Sequence, residues 1–351
     1  MKTHADSTKS QTGLPLTKKK THRHLRLFIR TIVVLLAVIG IFIIYAVISP
    51  YPVSMITRIA FNHDVGVAPD NYDEIKSRVS VIQNIRYRSE YPDNYADLYI
   101  PVDQGGPFPV VLWIHGGAFV GGDKKDIKIY AEALAAEGIA VVCMNYRRAP
   151  EAKYPVPVVQ TNEVYLWLME VSDEYTLDLN RFVLAGDSAG AQIAAQFAAI
   201  QSNAVYAAGI GFPQSVPLHT LKAALLFCGP YDVAKIAEGN HWMLGFIMKK
   251  TAEAYFGKKD WAEYFSYQAT ISNHITKDFP PVFISDGNTL SLEDHGRDLA
   301  EVLKKNGVPV ETYFIPVDDE VTKHEYQFEM KTAAGRGSFR ATVNFLNQYL
   351  E

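Results

Sequence analysis

The sequence predicts an α/β fold: a mostly parallel central sheet with helices on both faces, preceded by one apolar helix. Three observations lead there. From residue 79 onward, short apolar runs alternate with longer helical ones, the βαβα rhythm of a parallel sheet. Runs such as "VVLWI" and "AALLF" are apolar throughout, as strands covered on both faces must be. Residues 31–49, "TIVVLLAVIGIFIIYAVIS", carry no charge over about the length a helix needs to cross a bilayer core.

Residues 1–30 hold eight Lys/Arg and one acid, a charge of +7 that leaves −11 on the remainder of a chain whose net charge is −4. Residues 1–24 are polar and expected to be disordered. The apolar run that follows lacks the polar stripe of a core helix. A cleavable signal peptide has a shorter apolar region and ends at a small-residue site, whereas this run continues into "SPYP". An uncleaved membrane anchor is therefore expected at 31–49. Its basic flank predicts a cytoplasmic tail at 1–30 and a body outside the cell.

Residues 50–78 read as a linker with a helix over "VSMITRIAF". The main domain is expected at 79–351. Its strands are predicted at 79–88, 97–100, 110–115, 140–145, 181–185, 223–227, 282–285 and 310–315, the first two as a hairpin. Its helices are predicted at 125–137, 158–170, 189–200, 292–306 and 335–349. Residues 235–275 interrupt the alternation with an aromatic-rich stretch. With 50–78 they are expected to form a helical lid whose aromatics mostly pack against the body, with Trp242, Phe246 or Tyr255 as candidates to face a pocket beneath it.

Composition narrows the chemistry. With 351 residues and 48% hydrophobic content the chain can bury a large core. Cys143 and Cys228 each lie in a strand-like run and read as buried small hydrophobes, not a disulfide. No zinc-site Cys/His spacing, HExxH motif or glycine-rich phosphate loop occurs, so neither metal nor cofactor is expected. The acidic body argues against a nucleic-acid partner.

The motif that carries chemistry is Gly186-Asp187-Ser188-Ala189-Gly190, a G-x-S-x-G sequence between a predicted strand and a predicted helix. Such an elbow projects a serine oxygen away from the sheet, and its neighbours must be small to avoid clashes. The helix beginning at Ala189 aims its positive end at the same point. Upstream, His115-Gly116-Gly117-Ala118 follows another strand end. Gly116 and Gly117 are expected to supply backbone N–H groups to an oxyanion, and Ala189 a third. His115 is expected to hold this loop in shape.

A serine nucleophile needs a base. Past residue 290 only His295 and His324 remain. His295 falls in a helix and reads as solvated, whereas His324 lies in the loop after the last strand, in reach of Ser188. The acid that orients the imidazole is expected after the strand "PPVFISD", as Asp286 or Glu293, with Asp232 in the preceding strand–loop junction as a further candidate. Asp294 reads as a first-turn helix acid.

These motifs resemble the hormone-sensitive-lipase-like branch of α/β-hydrolase esterases. "HGGAF", "NYRRAPEAKYPVP" and "GDSAG" stand where that family carries H-G-G-G/A, Y-R-L-A-P-E…P-x-P and G-D-S-A-G. The resemblance covers about residues 79–350. It implies hydrolysis of short-chain carboxylic esters by a Ser–acid–His triad without cofactor, beneath an N-terminal helical cap, with Ser188, His324, Gly116, Gly117 and Ala189 on family positions. One departure bears on mechanism: where the family has G-x-x-D-x-L, this chain reads "GNTLSL", with Leu290 in place of the aspartate. Two functions follow from the sequence. One is a membrane-tethered serine hydrolase acting on a small-molecule ester, or, with another pocket, on an amide or acetyl group of the cell envelope. The other is a non-catalytic surface domain on the same fold.

Overall fold

The computed structural model describes residues 17–61, 66–237 and 242–351, with side chains at 23–61, 66–236 and 245–351. Residues 1–16 of the basic tail and the side chains of Lys18, Lys19, Lys20 and Trp242 lie outside the described residues. The chain divides into two compact units between Ser49 and Pro50.

The first unit is the helix α1 (Thr17–Ile48). Its stretch Arg23–Ile48 is long and apolar enough to cross a membrane, with a hydropathy of 3.1. It lies near the N-terminus, where a signal sequence meets the same criterion.

The second unit starts with α2 (Tyr51–Ala60) and α3 (Tyr72–Ser77). It continues with β1 (Val79–Arg86), β2 (Tyr95–Pro101), β3 (Phe108–Ile114), α4 (Lys128–Ala136), β4 (Ala140–Met144) and α5 (Val156–Val171). Then come β5 (Leu177–Asp187), α6 (Ala189–Ser202), α7 (Ala204–Ile210), β6 (Leu221–Phe227), α8 (Trp242–Phe256) and α9 (Trp261–Ala269). The chain closes with β7 (Val282–Asp286), α10 (Glu293–Lys305), β8 (Val310–Phe314) and α11 (Ala333–Leu350). The strands form one sheet in the order β1-β2-β4-β3-β5-β6-β7-β8. The pairs β1/β2 and β2/β4 are antiparallel, and every later pair is parallel.

The sheet is covered on both faces because its strands are apolar on both. In β3, Val110, Leu112 and Ile114 enter one core while Val111 and Trp113 enter the other. This is the two-residue alternation of a strand applied to an uninterrupted apolar run. On the second face Trp113 meets Tyr130 and Phe227 edge to face, at 5.3 and 5.5 Å. On the first, α6 buries every residue from Ala189 to Ser202, and its alanines and glycine let it lie close against the sheet. Both cysteines are free and buried.

Several boundaries differ from expectation. β5 begins at Leu177, earlier than 181, because the strand extends ahead of its apolar run, where Leu177 and Asp178 pair with Phe108 and Pro109 of β3. The predicted 125–137 helix opens with a 3-10 turn at Lys124–Ile127, capped by the Asp123 side chain on the Lys125 N–H. Residues 235–275 contain α8 and α9, and α8 packs on α2. α2 is fastened to the body by Arg58, which donates to the carbonyls of Val120 and Ala149, both at 2.6 Å, and pairs with Glu151.

Candidate active site

At the carboxyl end of β5 the chain reverses into α6 within one residue. Ser188 adopts φ 50°, ψ −120°, a left-handed backbone that costs a side-chain-bearing residue about 1–3 kcal/mol. The neighbours show why it is tolerated. A Cβ on Gly186 would come 2.4 Å from the carbonyl oxygen of Gly190, and one on Gly190 would come 2.0 Å from that of Ile114. Only glycine fits at either position, so strand, elbow and helix pack backbone against backbone. The Ser188 N–H donates to Phe227 O at 2.7 Å and fixes the turn to β6.

The Ser188 hydroxyl faces His324, with 3.0 Å between Oγ and Nε2. His324 sits in the loop after β8, and burial lowers its imidazole to about 4, so the ring is neutral near pH 7. Its other nitrogen, Nδ1, lies 2.7 Å from Ser291 Oγ, and the Ser291 hydroxyl in turn donates to Asp286 Oδ1. Oδ1 also accepts from the Gly287 N–H at 2.7 Å, while Oδ2 is buried with no hydrogen-bond partner among the described residues. Burial pushes the Asp286 carboxyl up to about 7.

The other candidate acids lie elsewhere. Glu293 pairs with Arg297 one turn along α10. Asp232 accepts from the Ala234 N–H and the Thr270 hydroxyl. Leu290, at the family's aspartate position, is 72% exposed with φ 50°. His295 is not solvated: it is buried, and its Nδ1 accepts from the Asp232 N–H because α10 turns that face toward the core.

The loop after β3 corrects one expected oxyanion donor. The Gly116 N–H points to Asp187 Oδ2 at 2.7 Å and is not free for a substrate oxygen. Asp187 also accepts from Trp113 Nε1, so this carboxylate holds the loop from below. The N–H groups of Gly117 and Ala118 have no acceptor among the described residues. Neither does that of Ala189, which as the first residue of α6 has no helical partner. Ala118, not singled out from the sequence, thus has a backbone N–H without an acceptor among the described residues where that of Gly116 is taken. His115 is stacked on Tyr146 with Nδ1 against the Gly116 carbonyl at 2.7 Å. Beneath the loop Glu325 sits beside Asp187. Burial and that neighbouring carboxyl push Glu325 up, and burial pushes Asp187 up to about 6.

Above Ser188 opens a cavity of about 280 Å³, with Ala118, Ala189 and His324 at its floor and Phe61, Ile236, Ile247, Met248, Leu290 and Leu292 among its walls. Of the aromatic candidates, Phe246 and Tyr255 do not line it, and the side chain of Trp242 lies outside the described residues. Tyr255 is fully buried and stacks on Phe119 at 4.1 Å, and Phe246 is on the exposed side of α8. The face α8 turns to the cavity carries Ile247, Met248, Thr251 and Ala252, a helical spacing that aromatic content alone did not reveal.

Residues 96–293, more than half of the chain, match the BD-FAE family. The chain belongs to the BD-FAE family. Its relatives are esterases by name. This BD-FAE chain is 32% identical over 152 residues to a probable isoprenylcysteine alpha-carbonyl methylesterase of Oryza sativa subsp. japonica, covering 43% of the chain and 35% of that protein. It is 31% identical over 218 residues to esterase LipI of Mycobacterium tuberculosis, covering 58% of the chain and 62% of that protein. The matches thus span from about a third to under two thirds of these relatives. Among solved structures, esterase B of Lactobacillus rhamnosis superimposes with a TM-score of 0.69 at 21% identity, over 81% of this chain and 89% of that one. The BD-FAE chain has the α/β-hydrolase fold expected from its resemblance to hormone-sensitive-lipase-like esterases.

Proposed function

We propose that this chain hydrolyses short-chain carboxylic esters through an acyl-enzyme on Ser188, held at a membrane by the helix within residues 23–48. The observation that carries the reading is the 3.0 Å approach of His324 Nε2 to Ser188 Oγ, beside N–H groups with no acceptor among the described residues. With Nδ1–H donating to Ser291, Nε2 accepts the Ser188 proton as Oγ attacks the ester carbonyl carbon. The carbonyl oxygen becomes an oxyanion received by the N–H groups of Gly117, Ala118 and Ala189, at the positive end of α6. The C–O bond to the alcohol breaks and Nε2 returns the proton to the departing oxygen. Water, deprotonated by the same nitrogen, then attacks the acyl carbon; the C–Oγ bond breaks, Nε2 returns the proton to Ser188 Oγ, and the acid is freed. Asp286 stabilises the imidazolium formed in both halves.

The walls of the cavity are apolar and its volume lies just under the 300–1,000 Å³ range of drug-sized ligand pockets, which favours a small acyl group. The basic N-terminal flank of the apolar helix favours a cytoplasmic N-terminus and a hydrolase domain outside. The test is turnover of p-nitrophenyl acetate by the detergent-solubilised full chain and by Ser188→Ala. The expected loss in kcat is about 10^6-fold. Equal rates would favour the non-catalytic domain, and a fluorophosphonate that labels the wild type but not Ser188→Ala would exclude it.

A further inference from the structure

We infer that Ser291 is a positioning residue that joins the base to its acid, making the constellation a four-member relay Ser188–His324–Ser291–Asp286 in which no carboxylate among the described residues hydrogen-bonds Nδ1, while Glu325 Oε1 stands 3.8 Å from Nε2. The inference rests on the ester-hydrolase reading and deepens it. Among the described residues, no carboxylate hydrogen-bonds His324 Nδ1, whose partner at 2.7 Å is the Ser291 hydroxyl. Ser291 donates in turn to Asp286. Ligating atoms of Asp286 and His324 lie within 4.8 Å of each other, a gap one hydroxyl can span. A serine hydroxyl has one hydrogen to give and lone pairs to receive, so it can accept from Nδ1–H and donate to a carboxylate at the same time.

The two loops that carry these groups are clamped together, which fixes the bridge. Asn288 Nδ2 donates to the carbonyls of Ile315 (2.9 Å) and Glu320 (2.7 Å), Asn288 Oδ1 accepts from the Thr322 N–H (3.0 Å), and Thr322 Oγ1 accepts from the Asn288 N–H (3.1 Å). Thr289 and Lys323 add a parallel bridge. The loop after β7 is thereby held beside the loop bearing His324, with Asp286 anchored at the strand end and Ser291 five residues on. At that register Leu290 turns toward the cavity mouth and leaves the acid's usual place empty of charge.

In the reaction the proton of Ser188 goes to Nε2. Nδ1–H strengthens its hydrogen bond to Ser291 Oγ, and the Ser291 O–H strengthens its bond to Asp286. No covalent bond to Ser291 forms or breaks, and its proton need not leave it.

The test is a pH profile of kcat on p-nitrophenyl acetate for the full chain and its variants. Ser291→Ala lowers kcat by about tenfold to a hundredfold with KM within about twofold. It also moves the acid limb down by roughly one pH unit, because the Nδ1–H of the imidazolium loses the hydroxyl acceptor that links it to Asp286. A merely structural serine leaves that limb in place. The isosteric pair Ser291→Thr and Ser291→Val isolates the hydroxyl: Thr keeps the wild-type limb and most of the rate, while Val behaves as Ala does. In a double-mutant cycle, Ser291→Ala in an Asp286→Asn background costs less than about twofold more, because the link is already cut. Wild-type kcat and limb in Ser291→Ala, equal behaviour of Thr and Val, or additive losses in the cycle would each overturn the relay. If such a result comes while Ser188→Ala is inert, the relay alone fails. If Ser188→Ala turns over like the wild type, both readings fall.

Discussion

The turn at residues 186–190 and the loop at 286–292 both follow a parallel strand, both lead into a helix, and both carry a group of the proposed relay. They are built by different means. The elbow is backbone against backbone: glycines at 186 and 190 are the only residues that fit beside the Gly190 and Ile114 carbonyls, and the strained Ser188 has one conformation left to it. The acid loop is held chiefly by side chains, through Asn288, Ser291 and Thr322. Geometry set by the backbone admits few sequences, and geometry set by side chains admits many. The proposed nucleophile therefore stays in one motif, while the proposed acid reaches His324 by a path the motif does not contain.

The comparison is tested hardest at the elbow. Gly190→Ala places a methyl group 2.0 Å from a carbonyl oxygen that belongs to the central strand and cannot move away. The expected outcome is loss of at least about 3 kcal/mol of stability, read as a large fall in Tm or as failure to accumulate folded protein. A variant that folds with wild-type Tm would show that the turn is looser than its contacts require.

The acid loop should respond through rate instead of folding. Asp286→Asn is expected to lower kcat on p-nitrophenyl acetate by about 10^2- to 10^4-fold, while Glu293→Gln, which removes only an exposed helix pair with Arg297, leaves kcat within about twofold. Steady-state kinetics on the two variants decides between them. If Glu293→Gln is the slower enzyme, the loop rearranges on substrate binding and the acid lies one turn further on.

The same distinction explains what the sequence disclosed. The approach of His324 to Ser188 was legible because a G-x-S-x-G turn and a post-strand histidine constrain local backbone and chain order. The parallel sheet was legible because strands buried on both faces are apolar without a break. Ala118 and Gly116 were exchanged because a glycine pair shows that backbone N–H groups approach something, without showing which one Asp187 has already taken. Asp187 was visible as the second residue of its motif, but nothing local says that it holds the opposite loop. On α8 aromatic content drew the eye to Phe246 and Tyr255, whereas the phase of the helix, set by packing on α2 and the body, turned Ile247 and Met248 to the cavity. His295 looked solvated because its neighbours in sequence are charged, yet it faces inward.

The smallest expected effect concerns the carboxyl pair under the proposed oxyanion loop, where both kinds of construction meet. Glu325 is raised above its ordinary 4.5 and Asp187 is raised from 3.8 to about 6. The folded state holds these protons to higher pH than the unfolded chain does, so the stability they contribute is complete below about 4 and is lost as pH rises through the folded values. His115 and His324 act in the opposite direction. Both are lowered from 6.5 to about 4, so the unfolded chain binds their protons first and stability rises with pH across that window. The two trends oppose each other between about pH 4 and 6.5, and above that only the carboxyl trend remains. Glu325→Gln removes one ionisation and leaves an amide able to donate to Asp187. Its Tm is therefore expected to exceed the wild type's by a few degrees at pH 8, with the gap closing toward pH 4.5. Thermal melts across that range check it. A gap that does not change with pH would mean that the pair stays protonated throughout, and that the oxyanion loop rests on a neutral support at every working pH.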